Sequence, residues 1–457
     1  MTLLLIAAIL APILTALFAA LFSNQSFRRI LRVVLSIVCV ALAVSVVPQL
    51  DHLSAIFMLL VSVLSALATI FSAGIFPGTD DGRTFVWSSR PTYFILIGMF
   101  WSSMLLAVTS TSFIGIWIGI SSTTIATTFL VGFSGAKASL EAAWKYLMLC
   151  SFGLAFALLG LLLVGRAAIE AGLLPNLALS WSALAVHAQA LNPSLMRAGL
   201  LLMLVGFGTK AGLVPMHAWL PDAHSKAPAP VSALLSGLLV SCALYALIRT
   251  QAVAAQSAPQ LFNTTMLVIG GLTILVAAML MLAQSDMKRL LSYSTIEHAG
   301  LVAIALGIAT PLASVAALLH ILNHAFVKSA AFLSVGLVQH EQGSTTIARW
   351  HGLWHARSGR LFLLSLIGLA GLPPLGLFLS ELLIIFAAVN AHAWLALAIA
   401  LTGLLLAFAA LARCAIETES GTQTASAMKT SRLAMFAASG AAIGAIVIAL
   451  LPLFGVR

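Results

Sequence analysis

Long runs of apolar residues separated by short polar stretches fill most of the chain. Most runs reach about 17–25 residues, the length that an α-helix needs to cross the hydrocarbon core of a bilayer. The pattern predicts an all-α integral membrane protein with about fourteen transmembrane helices. The predicted spans are 2–22, 28–47, 53–75, 92–109, 112–133, 141–165, 196–226, 230–249, 262–284, 289–308, 312–339, 361–390, 393–416 and 432–454.

Three of these spans are long or interrupted. Prolines at Pro215 and Pro221 interrupt the seventh, and the stretch from Gly371 to Pro374 interrupts the twelfth. The eleventh is long and carries Lys328. Irregular backbone at membrane depth is tolerated only where protein buries it or where it lines a wet cavity. We therefore expect spans seven and twelve to be broken helices beside a polar interior.

The two broken spans lie five positions apart, so they cross the membrane in opposite directions. This is the arrangement of inverted repeats that place a site near the bilayer midplane. The sequence predicts N-terminal helices 1–3 in 1–91, a first repeat of spans 4–8 in 92–250, a second repeat of spans 9–13 in 251–416 and a C-terminal helix in 417–457.

Basic residues mark the orientation. Loops after odd-numbered spans, with their flanks, carry Arg28, Arg29, Arg32, Arg83, Arg90, Lys137, Lys226, Lys288, Arg289, Arg349, Arg357, Arg360, Arg413, Lys429 and Arg432. The other side carries only Arg166, Arg197, Arg249 and Arg457. The positive-inside rule then predicts a bacterial inner membrane protein with both termini on the periplasmic side. The first apolar run has no basic leader and no small-residue cleavage site, so we expect it to be a retained span.

Composition narrows the functional class. The chain is 61% hydrophobic and only 7% charged, and its net charge of +10 is scattered between apolar runs. The basic residues therefore form no patch that could bind nucleic acid. The four cysteines, Cys39, Cys150, Cys242 and Cys414, have neither disulfide nor metal-site spacing and are expected to be core residues. No phosphate-binding or iron–sulfur motif occurs, so we expect no cofactor and no catalytic centre in this chain.

Ionisable residues inside the apolar runs are few, and each is a candidate functional residue because a charge in hydrocarbon is costly. They are Lys210, Glu297, His298, His320, His324, Lys328 and Glu381. Lys210 follows the apolar stretch LLMLVGFGT and precedes the proline break. We expect it to be a buried proton site facing polar groups or water; the alternative is a lysine that snorkels or forms a structural pair.

Span eleven carries a polar stripe. His320, His324 and Lys328 are each four residues apart, which places them on one helix face. Histidine and desolvated lysine both exchange protons, so the stripe is a candidate proton wire. The alternatives are a structural stripe and a metal site, although no nearby carboxylate or cysteine completes a ligand set. We expect Lys328 and His324 to approach Glu381 of span twelve.

A second group of residues is a candidate for the entrance. Glu141 and Lys145 form an i, i+4 pair at the mouth of span six, where an interfacial ion pair is the alternative. His224 is expected in a cytoplasmic loop with Asp222 and Lys226, either as an entrance or as solvated loop. Glu297 and His298 of span ten complete the candidate entrance residues.

Several segments resemble a known family. KAGLVPMHAWLPDAHSKAPAPVSALLSG, QSDMKRLLSYSTIEHAGL, LLHILNHAFVKSAAFL and GLAGLPPLGLFLSELLI are similar to segments of the proton-conducting, antiporter-like subunits of complex I, Mrp antiporters and membrane-bound hydrogenases. SLEAAWKYLMLCSFGLAFALLG most resembles hydrogenase-4 F-type subunits of formate hydrogenlyase-like complexes. The resemblance covers roughly residues 50–420. It implies fourteen helices, inverted repeats of five and a midplane row of charged residues that moves protons.

Position by position, the resemblance assigns the lysine of the first broken helix to Lys210, the histidine of span eleven to His324 and the charged residue of the second broken helix to Glu381. Lys328 matches a lysine of the hydrogenase-type branch. Two positions depart. WIGISSTT places Ser121 where the family has a glutamate, and LLVSCALY places Ser241 where many members have a lysine. With its acid partner missing, Lys210 is expected to relay protons more than to store them.

The leading hypothesis is therefore a proton- or Na⁺-translocating membrane subunit of a hydrogenase-4 or complex I-like oxidoreductase assembly, in which partner subunits supply the redox chemistry. One alternative is the membrane subunit of an inorganic-carbon uptake complex with a carbonic-anhydrase-like partner. The other is a non-conducting scaffold subunit, which the serines at 121 and 241 favour.

Overall fold

The computed structural model describes residues 2–76, 89–420 and 431–450, and within these ranges every extended regular element is a helix. The α-helices are α1 Leu3–Ala20, α2 Gln25–Val46, α3 His52–Gly74, α4 Arg90–Thr109, α5 Phe113–Val131, α6 Lys137–Glu170, α7 Trp181–His187, α8 Pro193–Ala211, α9 Trp219–Lys226, α10 Ala229–Leu234, α11 Val240–Ser257, α12 Pro259–Leu282, α13 Met287–Ile308, α14 Pro311–Gln342, α15 Arg357–Leu369, α16 Gly376–Asn390, α17 Trp394–Glu419 and α18 Arg432–Leu450. A π-helical turn, Leu235–Leu239, joins α10 to α11.

The predicted membrane architecture is confirmed. In the described part of the chain, 13 helices are long and apolar enough to cross a membrane, with α10 and α11 counted together as Ala229–Ser257. The remaining predicted span, the twelfth, is divided between the shorter α15 and α16. The protein is an all-α, multi-pass integral membrane protein.

Both predicted helix breaks are present. α8 ends at Ala211 before the left-handed Gly212 (φ +76°), and α9 begins at Trp219. In the second break, α15 ends at Leu369 and Gly371 has φ +62°. Glycine suits both positions because it has no Cβ to clash in a left-handed conformation.

Side chains and neighbouring helices satisfy the backbone of the first break. The Trp219 indole donates to the Thr209 carbonyl (2.8 Å), and the Val214 amide donates to the Thr273 hydroxyl of α12 (3.0 Å). Backbone groups freed in a membrane need such partners because no water is available in the hydrocarbon region. Hydrogen bonds to neighbouring side chains therefore stabilise the break inside the protein.

Two helices are longer than predicted. The sixth span, expected at 141–165, is the 34-residue α6, Lys137–Glu170. The eighth, expected at 230–249, runs on to Ser257. An apolar window detects only the part of a helix in hydrocarbon, and polar ends held by i, i+4 pairs such as Arg166–Glu170 (2.8 Å) extend it into the interface.

The expectation that residues 222–226 form a loop is wrong, because they belong to α9. Pro221 lies in the first turn of this helix, where the backbone amide needs no intrahelical acceptor, so the proline does not prevent helix formation. The seven-residue α7 was also not predicted. Three of the basic residues used to predict the orientation, Arg83, Lys429 and Arg457, lie outside the described residues. The end of predicted span fourteen, 451–454, also lies outside them.

The central helices form the interior. Within their most apolar windows, Ala229–Ser257 and α13 are 94% buried and α14 is 89% buried, compared with 33% for α1 and 22% for α2. Most of the ionisable residues that the sequence singles out lie on these central helices or on the broken ones. The outer helices face the surroundings with apolar side chains.

Candidate functional site

Lys210 lies in the last turn of α8, directly before the first break, and its side chain is fully buried. Its Nζ donates a hydrogen bond to the Tyr146 hydroxyl of α6 (2.8 Å). The ammonium also lies 4.7 Å from the centroid of the Tyr146 ring and 5.9 Å from that of Trp219. The expected placement, beside the discontinuity and against polar groups, is confirmed.

A row of hydroxyls continues from this lysine. The Tyr146 hydroxyl is 2.6 Å from Thr127 Oγ1, which donates to the Thr123 carbonyl (2.6 Å). Since Thr127 donates onward, the tyrosine donates to Thr127 and accepts from Lys210. The row is a path of hydrogen bonds from α8 through α6 to α5.

A second cluster joins α13 to α14. Nδ1 of His298 lies 3.2 Å from Nε2 of His320, and the ring centroids of His298 and His324 are 5.1 Å apart. Glu297 Oε2 is 3.5 Å from His298 Nδ1. All four side chains are buried, at 0–3% exposure, so the contacts form away from solvent.

The cluster reaches α16 through Ser380. Nδ1 of His320 is 3.0 Å from the Ser380 hydroxyl, and the next residue is the buried Glu381. The Glu381 carboxylate packs against the second break, because a Cβ built on Gly371 would lie 2.1 Å from Glu381 Oε2. Oε1 of Glu381 is buried and has no hydrogen-bond partner among the described residues. The break and the carboxylate therefore form one structural unit.

Lys328 is fully buried but does not make the direct contact with Glu381 that its spacing suggests. Its Nζ donates to the Leu291 carbonyl of α13 (2.9 Å), and the opposite charge that acts on it is Glu297. Glu297 also acts electrostatically on Glu381. Lys328 lies eight residues, or about 12 Å along the helix, from His320. The two ends of the stripe consequently meet different neighbours.

The candidate entrance residues separate into two groups. Lys145 pairs with Glu141 (2.7 Å) and Asp222 (3.4 Å), and Asp222 also pairs with Arg289 (2.8 Å). These side chains are partly exposed. They therefore form the interfacial ion pairs that were given as the alternative to an entrance.

Three other candidate entrance residues are buried in the interior. His224 is fully buried, and its ring stacks on Phe332 with 5.3 Å between centroids. Glu297 and His298 belong to the central cluster. The expected position of His224 in a solvated loop is therefore wrong, because its helix α9 packs against α6 and α13. Glu297 and His298 lie on α13, one of the most buried helices of the fold.

A cavity of about 510 Å³ opens toward this interior between α3, α10 and α14. Lys226, His340 and Lys288 are among the residues that line it. Lys288 is only 2% exposed, and its Nζ donates to the Ala227 carbonyl. His224 experiences the charges of both Lys288 and Lys328. Lys288 thus lies at the cavity wall, within electrostatic range of the buried His224.

No three His, Cys, Asp or Glu side chains within residues 2–76, 89–420 and 431–450 are arranged to hold a metal ion. In the central cluster Nδ1 of His298 contacts His320 and Nδ1 of His320 contacts Ser380, whereas Nε2 of His298 and Nε2 of His324 have no hydrogen-bond partner among the described residues.

Comparison with known proteins places this arrangement in a family. Residues 110–407 match the family model described as "NADH:quinone oxidoreductase/Mrp antiporter, TM". The chain belongs to this antiporter family. It is 36% identical over 367 residues to a hydrogenase-4 component F homolog of Methylacidiphilum infernorum, covering 79% of this chain and 76% of that protein.

Two further similar proteins share less sequence identity with this chain. Hydrogenase-4 component B of Escherichia coli is 28% identical over 351 residues, which cover 73% of this chain and 49% of that protein. This chain therefore spans about half of that longer relative. A chain of the membrane-bound sulfane sulfur reductase, an archaeal respiratory membrane complex, has the same fold, with a TM-score of 0.85 and 23% identity over 99% of this chain and 95% of that chain.

The structure also places the two serines that were expected to replace charged residues of the family. The Ser121 hydroxyl is buried without a hydrogen-bond partner among the described residues. The Ser241 hydroxyl donates to the Gly237 carbonyl within its own helix (2.7 Å). No carboxylate in the described ranges forms an ion pair with Lys210, whose partners are the Tyr146 hydroxyl and Cys150. Hydroxyl and aromatic groups surround this lysine in place of an acid.

Sequence reasoning did not single out Tyr146, Lys288 or Ser380. Lys288 adjoins Arg289 at the start of a span and was counted as a topology marker, and a tyrosine in an apolar helix is ordinary core composition. Ser380 carried one usable signal, since it directly precedes the intramembrane Glu381.

Proposed function

We propose that this antiporter-family chain is a proton-translocating subunit of a multi-subunit membrane complex of the hydrogenase-4 or complex I type. Its relatives are named as components of such complexes, so other membrane and peripheral subunits are its expected partners. One observation carries the proposal: a series of buried ionisable groups extends from the 510 Å³ cavity to the second helix break. Buried ionisable residues in membrane spans are expensive and mark ion pathways.

The proposed route begins at the cavity and enters through Lys288. The route continues past His224 to Lys328, whose charge acts on the His224 ring. From Lys328 the proton passes to Glu297 and the histidine cluster. His320 then hands it to Ser380 and Glu381 at the second break. Each group exchanges a proton without a cofactor, so redox energy must come from partner subunits.

Lys210 forms a separate branch of the proposal. Its hydrogen bonds lead away from the central cluster, through Tyr146 to Thr127. Because no acid pairs with it in the described residues, we propose that this branch relays protons and does not store them. A second function, a non-conducting scaffold, is favoured by this same lack of an acid partner.

Two further proposals concern organisation. We propose that residues 92–250 and 251–416 are inverted repeats, since each contains one helix broken beside a buried ionisable residue. We also propose an inner-membrane location with both termini on the periplasmic side, which rests on the distribution of basic residues.

Proton flux through the full chain in reconstituted vesicles tests the proposal. Lys210→Ala should slow the dissipation of an imposed pH gradient, because it leaves the Tyr146 hydroxyl without its donor. A hydrogen bond from a charged donor is worth about 1.5–3 kcal/mol, and a barrier higher by this amount slows the flux about 10- to 150-fold. Ser121→Glu should also change the rate, since it returns an acid to the position where the family pattern has one.

Lys137→Ala is the matched control, because Lys137 is exposed at the start of α6 and lies outside the proposed route. Its vesicles should behave like the parent. Equal rates for parent, Lys210→Ala and Ser121→Glu would exclude the Lys210 branch, and a parent rate no faster than that of protein-free vesicles would refute conduction and support the scaffold function.

A further inference from the structure

Four arginines meet at a cavity of about 240 Å³ near the starts of α2 and α4 and the end of α3. Arg29, Arg32 and Arg90 line the cavity together with Gln25, Phe76 and Phe94. Arg28 lies beside them and acts electrostatically on Arg32, as does Arg90. This cavity adjoins the 510 Å³ cavity, since Phe76 lines both, but none of the ionisable groups of the proposed proton route lines it.

No acidic side chain among the described residues balances the positive charge at this cavity. Within residues 2–76, 89–420 and 431–450, none of the four arginines forms an ion pair. The Nε atoms of Arg28, Arg32 and Arg90 are buried and have no hydrogen-bond partner there. A buried, unpartnered donor costs about 1–3 kcal/mol, and more when the group is charged. An anion with several oxygen atoms would satisfy these donors and relieve the repulsion between the guanidinium groups.

Aromatic rings hold two of the guanidinium groups in place. Arg32 Cζ lies 3.6 Å from the Phe94 ring centroid, and Arg90 Cζ lies 4.7 Å from that of Phe76. Arg90 also donates to Gln25 Oε1 (2.9 Å). A stacked guanidinium presents its N–H edge rather than its face, which suits bidentate binding of phosphate. The N-termini of α2 and α4 add partial positive charge at the same place.

The surroundings of the cavity indicate which kind of phosphate group it would bind. α2 presents apolar side chains outward, with Ile30 63% and Ile37 59% exposed, so lipid chains adjoin the cavity. A smaller cavity of about 30 Å³ shares Arg32 and Phe94 and continues between α1, α2 and α4 to Trp101. The cavity thus lies at the level of lipid headgroups, on the side that carries most of the basic loop residues.

We propose that this cavity binds the headgroup phosphate of an anionic phospholipid, whose acyl chains lie along the exposed apolar face of α2. Arg29 and Arg90 contact the phosphate from the rim, and Arg32 contacts it from below. The bound lipid fixes the three N-terminal helices against α4.

Native mass spectrometry of the full chain, purified in detergent, tests the assignment. Phosphatidylglycerol and phosphatidylcholine of matched acyl chains are added in separate arms, with inorganic phosphate as a third arm. We expect one phosphatidylglycerol per chain to remain bound under activation that removes phosphatidylcholine. Arg29→Gln, Arg90→Gln and Arg32→Gln should each lower that retention by about tenfold, the effect of losing about 1.4 kcal/mol from one charge-assisted contact.

Arg360→Gln is the matched control, because Arg360 is exposed at the start of α15 on the same side and lies outside the cavity. It should retain phosphatidylglycerol like the parent. Arg29 is itself exposed, so Arg29→Gln tests binding even if Arg32→Gln proves unstable. Equal retention of the two lipids, equal loss in Arg360→Gln, or complete displacement of the lipid by inorganic phosphate would each overturn the proposal.

Discussion

Lys328→Met should nearly abolish proton flux through vesicles that contain the full chain. The ammonium at this position donates to the Leu291 carbonyl and is the opposite charge acting on Glu297. Methionine carries no exchangeable proton and loses a hydrogen bond from a charged donor, which is worth about 1.5–3 kcal/mol, and a barrier raised by about 3 kcal/mol slows transfer by more than about 100-fold. The measurement is the rate at which an imposed pH gradient decays, followed with an entrapped dye.

Lys137→Met is the control for this substitution, since it removes the same charge from an exposed position. Lys328→Arg is a second comparison, because it keeps a positive charge while removing a group that readily releases a proton. We expect Lys137→Met to conduct normally and Lys328→Arg to conduct poorly. Normal conduction by Lys328→Met would exclude this lysine from the pathway.

Gly206→Ala should destabilise the protein and weaken the placement of Lys210. Gly206 lies one turn before Lys210 on α8, where α8 crosses α6. A Cβ added there would lie 2.5 Å from both the Cβ and the backbone nitrogen of Ala157. Backbone atoms cannot rotate away, so the helices must separate. Overpacking of this kind costs about 1–3 kcal/mol, which should appear as a lower thermal unfolding midpoint and a slower decay of the pH gradient.

Gly271→Ala is the matched control because it adds the same methyl group to another transmembrane helix. There the new Cβ would lie 3.4 Å or more from its neighbours on Ile399, an ordinary contact. Alanine also has a higher helix propensity than glycine by about 1 kcal/mol. Gly271→Ala should therefore match or exceed the parent in thermal stability, and a similar loss in both variants would argue against a specific contact between α6 and α8.

The sequence was sufficient for those features that depend on local chemistry. Runs of apolar residues long enough for the bilayer determined the helices, and the breaks followed from Pro215 and from the stretch containing Gly371. Lys210 was identifiable because a charge inside such a run is costly wherever the neighbouring helices lie. Helix ends were less predictable, since α6 continues past its apolar window on ion pairs between polar residues.

The partners of each buried group depended on tertiary packing. The four-residue spacing correctly placed His320 and Lys328 on one helix face, but only the packing of α13 against α14 directed Lys328 to Leu291 and Glu297 instead of Glu381. Lys288 looked like a topology marker until the fold buried it beside the 510 Å³ cavity.

Spacing along one helix specifies a face, whereas contacts between helices depend on how far each side chain reaches across a crossing. The sequence by itself therefore determined the membrane architecture, the breaks and most of the candidate residues. The tertiary structure decided which of them contact one another, because those contacts are set by helix packing that no local pattern contains.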